Sequence, residues 1–101
     1  MNVLFICTQN KHRSKTAEEI FRTKFTTRSA GLFNATPVTE GELAWADVVA
    51  VMEDFQRSEL AQRFPRLYLK KRIISLDIPD VYSYNQPELI TTLKSKIACL
   101  T

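Results

Sequence analysis

The sequence predicts an α/β fold, a four-stranded parallel sheet with helices on both faces, in a single domain over residues 1–101. Two observations carry that expectation. Short apolar segments at 3–7, 48–52 and 73–76, suited to burial on both faces, alternate with stretches of helical period. The length of 101 residues and the hydrophobic content of 45% allow one core with little room for insertions.

Val3-Leu4-Phe5-Ile6-Cys7 reads as a buried first strand. The next helix carries Ala17, Ile20, Phe21 and Phe25 on one face and Glu18, Glu19, Arg22 and Lys24 on the other. Ser14 or Thr16 is its expected cap. Thr27-Arg28-Ser29-Ala30-Gly31 is a weak second strand ending in a glycine turn. Thr39 and Glu42 form a capping box for a short helix through Leu43 and Trp45, which should cover the sheet. Residues 48–52 are the clearest central strand. Asp54 is expected to cap a third helix bearing Phe55, Leu60, Ala61 and Phe64 and stopped at Pro65. Residues 73–76 supply the fourth strand, and a polar loop over 77–86 follows. Pro87 opens the last helix, whose apolar stripe is Leu89, Ile90, Leu93, Ile97 and Leu100. Right-handed crossovers bring the loops after the strands to one edge, where such sheets bind ligands. That edge gathers residues 7–14, 31–34, 52–54 and 77–84.

The net charge of +3 and pI near 9.0 are mild, and Lys70-Lys71-Arg72, the densest basic run, reads as a solvated turn. No nucleic-acid-binding motif accompanies the charge, and an anionic substrate explains it as well. Cys7 and Cys99 make no disulfide framework, and reduced thiols fit a cytoplasmic setting. Neither a leader peptide nor a membrane-length apolar run is visible. Two distant cysteines and the lone His12 show no metal-ligand spacing.

The chemistry concentrates between the first strand and the first helix, in Cys7-Thr8-Gln9-Asn10-Lys11-His12-Arg13-Ser14. A loop from a strand's end to a helix start turns its free N–H groups inward as an anion nest. Cys7 would stand at its start as a nucleophile, since nearby cations and helix-terminal N–H groups favour the thiolate. Arg13 offers a planar fork for two phosphoryl oxygens, and Ser14 can donate its hydroxyl to the sulfur. The bland alternatives are a core cysteine, an outward helix-start arginine and an ordinary N-cap serine. The strand before, the helix after and Asn10 within tip the balance, Asn10 because it tolerates the left-handed conformation that a tight anion loop needs.

This segment resembles the signature loop of the low-molecular-weight protein tyrosine phosphatases: a cysteine, five residues, an arginine and a serine after the first strand. It looks closest to a compact bacterial subgroup with a Cys-Thr-x-Asn-Lys-His-Arg-Ser loop. The resemblance continues in Ser29-Ala30-Gly31, in Asp47-Val48-Val49-Ala50-Val51-Met52 and in the acidic aromatic loop after the fourth strand. It implies a four-stranded parallel sheet and cysteine-dependent hydrolysis of phosphate monoesters, protein phosphotyrosine first among them, without a cofactor. Residues Thr8, Gln9, Asn10, Lys11, His12, Arg13 and Ser14 would bind the phosphate. The partner implied is a phosphorylated protein or a small aryl phosphate, with the chain a monomer or weak dimer. A non-catalytic phosphate- or phosphoprotein-binding module of the same fold is the alternative. Arsenate reductases share the fold but need two further cysteines near the loop, and only Cys99 is present.

In that family an aspartate on the late loop protonates the leaving group and then activates water. The pattern here, Ile78-Pro79-Asp80-Val81-Tyr82-Ser83-Tyr84, places proline before the aspartate rather than after it. Asp80 matches the acid because Tyr82 follows two residues later; Asp77 is the competitor, otherwise read as a cap on loop N–H groups. Tyr82 and Tyr84 would wall an aromatic substrate slot, or pack over the sheet edge. Gln9 stands where the family loop usually has glycine, so either it fits an unusual backbone angle or the loop differs slightly. Lys11 is expected at the rim, and His12 is expected to support the loop through a backbone bond rather than act as a base. Arg57 is expected to be an ordinary exposed charge on its helix.

Overall fold

The computed structural model describes residues 1–98; Cys99 and Leu100, with their expected places on the last helix, lie outside the described residues. Four strands, β1 (Asn2–Cys7), β2 (Thr26–Gly31), β3 (Val48–Val51) and β4 (Arg72–Ser75), pair in parallel in the order β2-β1-β3-β4. Helices α1 (Arg13–Phe21), α2 (Glu40–Trp45), α3 (Asp54–Arg63), α4 (Pro65–Lys70) and α5 (Pro87–Ile97) fill the connections.

Strand alternation sorts β1 into two cores. Val3, Phe5 and Cys7 join Ala17 and Phe21 of α1 and Leu89, Leu93 and Ile97 of α5 on one face. Leu4 and Ile6 join Leu43 of α2 and Leu60 of α3 on the other, with Leu67 and Tyr68 of α4 packed against them. Both faces are therefore covered, as a parallel sheet requires. β2 reads weakly because it is an edge strand with polar side chains, two of which have partners on α1. Thr27 Oγ1 donates to the Glu18 carbonyl at 2.9 Å, and Ser29 Oγ to Glu18 Oε1 at 2.7 Å.

The expected capping box holds: Glu42 N–H donates to Thr39 Oγ1, and Thr39 N–H to Glu42 Oε1. Five local expectations change. α1 begins at Arg13, so Ser14 and Thr16 lie inside it and neither caps it; its N-cap position is His12, without a side-chain bond. It also ends at Phe21, and Phe25 reaches the core from the turn beyond. Asp54 is the first residue of α3 rather than its cap, which is Glu53. Pro65 ends α3 as expected but opens α4, because a proline at the first helical position forfeits no internal bond. Lys71 is a lid on α2 rather than a free turn charge, its Nζ donating to the Ala44 and Ala46 carbonyls.

Candidate active site

The segment between Cys7 and Arg13 is held by its carbonyls, which leaves its N–H groups for something else. Leu32 N–H donates to the Cys7 and Thr8 carbonyls, Phe33 N–H to the Thr8 carbonyl, and Thr16 N–H to the His12 carbonyl. These bonds engage the carbonyls of Cys7, Thr8 and His12. No acceptor among the described residues takes the N–H of Thr8, Gln9, Lys11, His12, Arg13 or Ser14. Asn10 supplies the turn with φ of 56°, and its N–H donates to Cys7 Sγ at 3.0 Å. Gln9 needs no unusual angle: the positive φ falls on Asn10 instead. Gly31 is needed for space rather than for a turn. A Cβ there would meet the Gln9 carbonyl carbon at 3.0 Å and Asn34 Cγ at 2.9 Å.

Cys7 is buried at 3% exposure, yet it borders a cavity of about 260 Å³ together with Thr8, Gln9, Lys11, His12, Arg13 and Asp80. Its sulfur lies 2.9 Å from Ser14 Oγ, which in turn donates to Asn10 Oδ1 at 2.6 Å. Arg13, at 2% exposure, is no outward helix-start arginine. Its Nη1 donates to Glu53 Oε1 and to the Ile78 carbonyl at 2.8 Å. Those anchors use one end of the guanidinium, and the Nε edge stands 3.7 Å from Asp80 Oδ1 at the cavity. A cation so deeply buried is retained only with such partners.

Two of these supports are not singled out by sequence reading. Glu53 holds Arg13, and Gln56, fully buried, braces the floor. Gln56 Oε1 accepts from Met52 and Glu53 N–H at 2.8 and 3.0 Å, and its Nε2 donates to Thr8 Oγ1 at 3.3 Å. The spacing of Glu53 and Gln56, three apart after a strand, is the available signal, masked by Asp54 as the more orthodox cap. Gln56→Leu leaves the N–H groups of Met52 and Glu53 without that acceptor. Thermal unfolding should show a loss of about 2–3 kcal/mol.

The loop after β4 hangs between two fixed points. Ile78 is fully buried, with its N–H on the Met52 carbonyl, and Asn85 N–H donates to Thr16 Oγ1 at 2.8 Å. Asp80 lies between them at the cavity, 64% exposed on its side chain. Asp77 adopts φ of 56° and does not border the cavity. It caps nothing: no hydrogen bond from its side chain is found among the described residues, the short left-handed-tolerant residue being used for its backbone. Tyr82 packs against the core, and Tyr84 is half-exposed; neither borders the cavity. His12 departs from expectation too, since its ring is exposed at the cavity and makes no backbone bond. Arg57 pairs with Asp54 on its own helix at 3.5 Å.

Solved structures share this arrangement of strands and helices. A low molecular weight phosphotyrosine phosphatase from Vibrio cholerae O395 superposes with a TM-score of 0.81 at 19% identity, over 99% of this chain and 94% of that one. This is the fold of the low-molecular-weight protein tyrosine phosphatases. A second protein of that description, from T. tengcongensis, gives a TM-score of 0.76 at 23% identity over 95% and 92% of the two chains. The YwlE arginine phosphatase from Geobacillus stearothermophilus gives 0.74 at 20% identity over 98% and 92%. No family model matches the sequence, and no curated protein sequence matches it. In this low-molecular-weight phosphatase fold the described residues bring Cys7, Arg13 and Asp80 to one cavity. They contain no helix long and apolar enough to cross a membrane.

Proposed function

We propose that the protein hydrolyses phosphate monoesters, protein phosphotyrosine foremost, through a phosphocysteine intermediate. The observation that carries this reading is the cavity bordered by Cys7, Arg13 and Asp80 together with a loop whose N–H groups have no acceptor among the described residues. The names of the solved relatives, phosphotyrosine and arginine phosphatases, agree with it.

Arg13 and the loop N–H groups hold the non-bridging oxygens and point phosphorus at Cys7. The Cys7 thiolate attacks, an S–P bond forms and the ester P–O bond breaks. The proton of the Asp80 carboxylic acid goes to the leaving oxygen. In the second step the Asp80 carboxylate takes a proton from water as the water oxygen attacks phosphorus. The P–S bond breaks, releasing inorganic phosphate and the thiolate. Ser14 has a single hydroxyl proton, drawn here toward Asn10 Oδ1. Turning the Asn10 amide over lets Nδ2 donate to Ser14 Oγ and frees that proton for the thiolate. Ser14 then stabilises Cys7 both before attack and as the leaving sulfur.

Asp80 is assigned the acid role from its place at the cavity beside Arg13. Asp80→Asn should cut turnover of an aryl phosphate with a poor leaving group by about 10²–10⁴-fold, and by much less with a good one. Asp77→Asn should affect both substrates alike. Leaving-group dependence confined to Asp77→Asn would reverse the assignment. Wild-type protein that binds phosphate yet hydrolyses no aryl phosphate would make the chain a binding module instead.

A further inference from the structure

The side chains of the anion loop divide into two groups. Those of Cys7, Thr8, Asn10, Arg13 and Ser14 are tied to the framework or to each other. Gln9, Lys11 and His12 are exposed, border the same cavity and have no hydrogen bond or ion pair from their side chains among the described residues; Lys11 and His12 are the two basic ones. Neither is needed to hold the loop. Nor is Lys11 needed for the phosphate itself, which Arg13 and the N–H groups already serve. The acidic residue bordering the cavity is Asp80, and it lies against Arg13. Lys11 therefore leaves on the rim a positive charge that no acidic group among the described residues pairs.

We infer that Lys11, with His12 beside it, forms a second anion subsite on the cavity rim that favours phosphopeptides carrying a carboxylate side chain next to the phosphorylated residue. The inference rests on the phosphomonoesterase reading and names the substrate class for that site. A carboxylate adjacent to the phosphorylated residue meets Lys11 as the phosphate reaches Arg13, whereas a cationic neighbour is repelled. Solvent exposure keeps the effect modest and sensitive to salt.

The test compares three phosphotyrosine peptides, with acidic, neutral or basic flanking residues, by kcat/KM. Wild-type protein should prefer the acidic peptide over the neutral one by about fivefold at low salt, and less at high salt. Lys11→Gln should bring the ratio close to one, Lys11→Glu should invert it, and Lys11→Arg should keep it. A ratio unchanged in Lys11→Gln, or an equal loss on all three peptides, overturns the inference, since Lys11 would then act through the loop alone. The same ratio is read from binding of the peptides to Cys7→Ser protein and to Cys7→Ser/Lys11→Gln. Discrimination in binding with no turnover by wild type leaves the subsite standing and removes the phosphatase reading. Absence of binding by every peptide overturns both.

Discussion

Cys7→Ser protein should lose hydrolysis of an aryl phosphate by at least about 10⁴-fold while keeping its affinity for inorganic phosphate within a few fold. The serine hydroxyl fits the same space, since the sulfur sits between Ser14 Oγ and the Asn10 N–H, and oxygen is the smaller atom. What it cannot do is ionise as a thiol does and attack phosphorus. The loop's course is kept without the sulfur, because Leu32 and Phe33 N–H hold the Cys7 and Thr8 carbonyls and a serine oxygen can still accept from the Asn10 N–H. Phosphate binding by calorimetry and turnover by a coupled assay separate the two effects. Equal activity in the variant would remove Cys7 as nucleophile.

Arg13→Lys should lower kcat/KM by about 10³-fold, most of it in kcat. The guanidinium does two things at once: one end bonds Glu53 and the Ile78 carbonyl, and the other edge faces the cavity. An ammonium is a single compact charge and cannot satisfy both ends. It would follow Glu53 and leave the phosphoryl oxygens to the N–H groups, weakening the transition state more than the ground state. Thermal unfolding should show a smaller effect, because the charge still pairs with Glu53. Near-normal kcat in Arg13→Lys protein would mean that Arg13 only holds β3's end to the loop.

The sheet was legible because its central strands are simple. Residues 3–7 and 48–51 are buried on both faces and can only be interior parallel strands. The loop's course was legible because Asn10, a residue that tolerates positive φ, stands between the strand and the helix and takes the turn. What stayed hidden depends on contacts distant in sequence. Glu53 is forty positions from Arg13, and Ile78 is sixty-five, so nothing local announces that they hold the guanidinium. Gln56 looks like a surface glutamine until Thr8 and the ends of β3 and α3 close around it. α4 escaped notice because proline reads as a stop, although it starts helices as readily as it ends them. For Tyr82 the core, not the cavity, is the nearest apolar surface, and position in a loop could not decide between them.

The central claim is that phosphate passes through Cys7. Protein mixed with a good-leaving-group aryl phosphate, quenched within milliseconds and digested, can be read by mass spectrometry for a phosphoryl group on the peptide bearing Cys7. That adduct is expected on Cys7, formed no more slowly than phosphate is released and absent from Cys7→Ala protein. Steady hydrolysis by a Cys7→Ala variant, or release of phosphate with the adduct on another residue, would contradict the central claim.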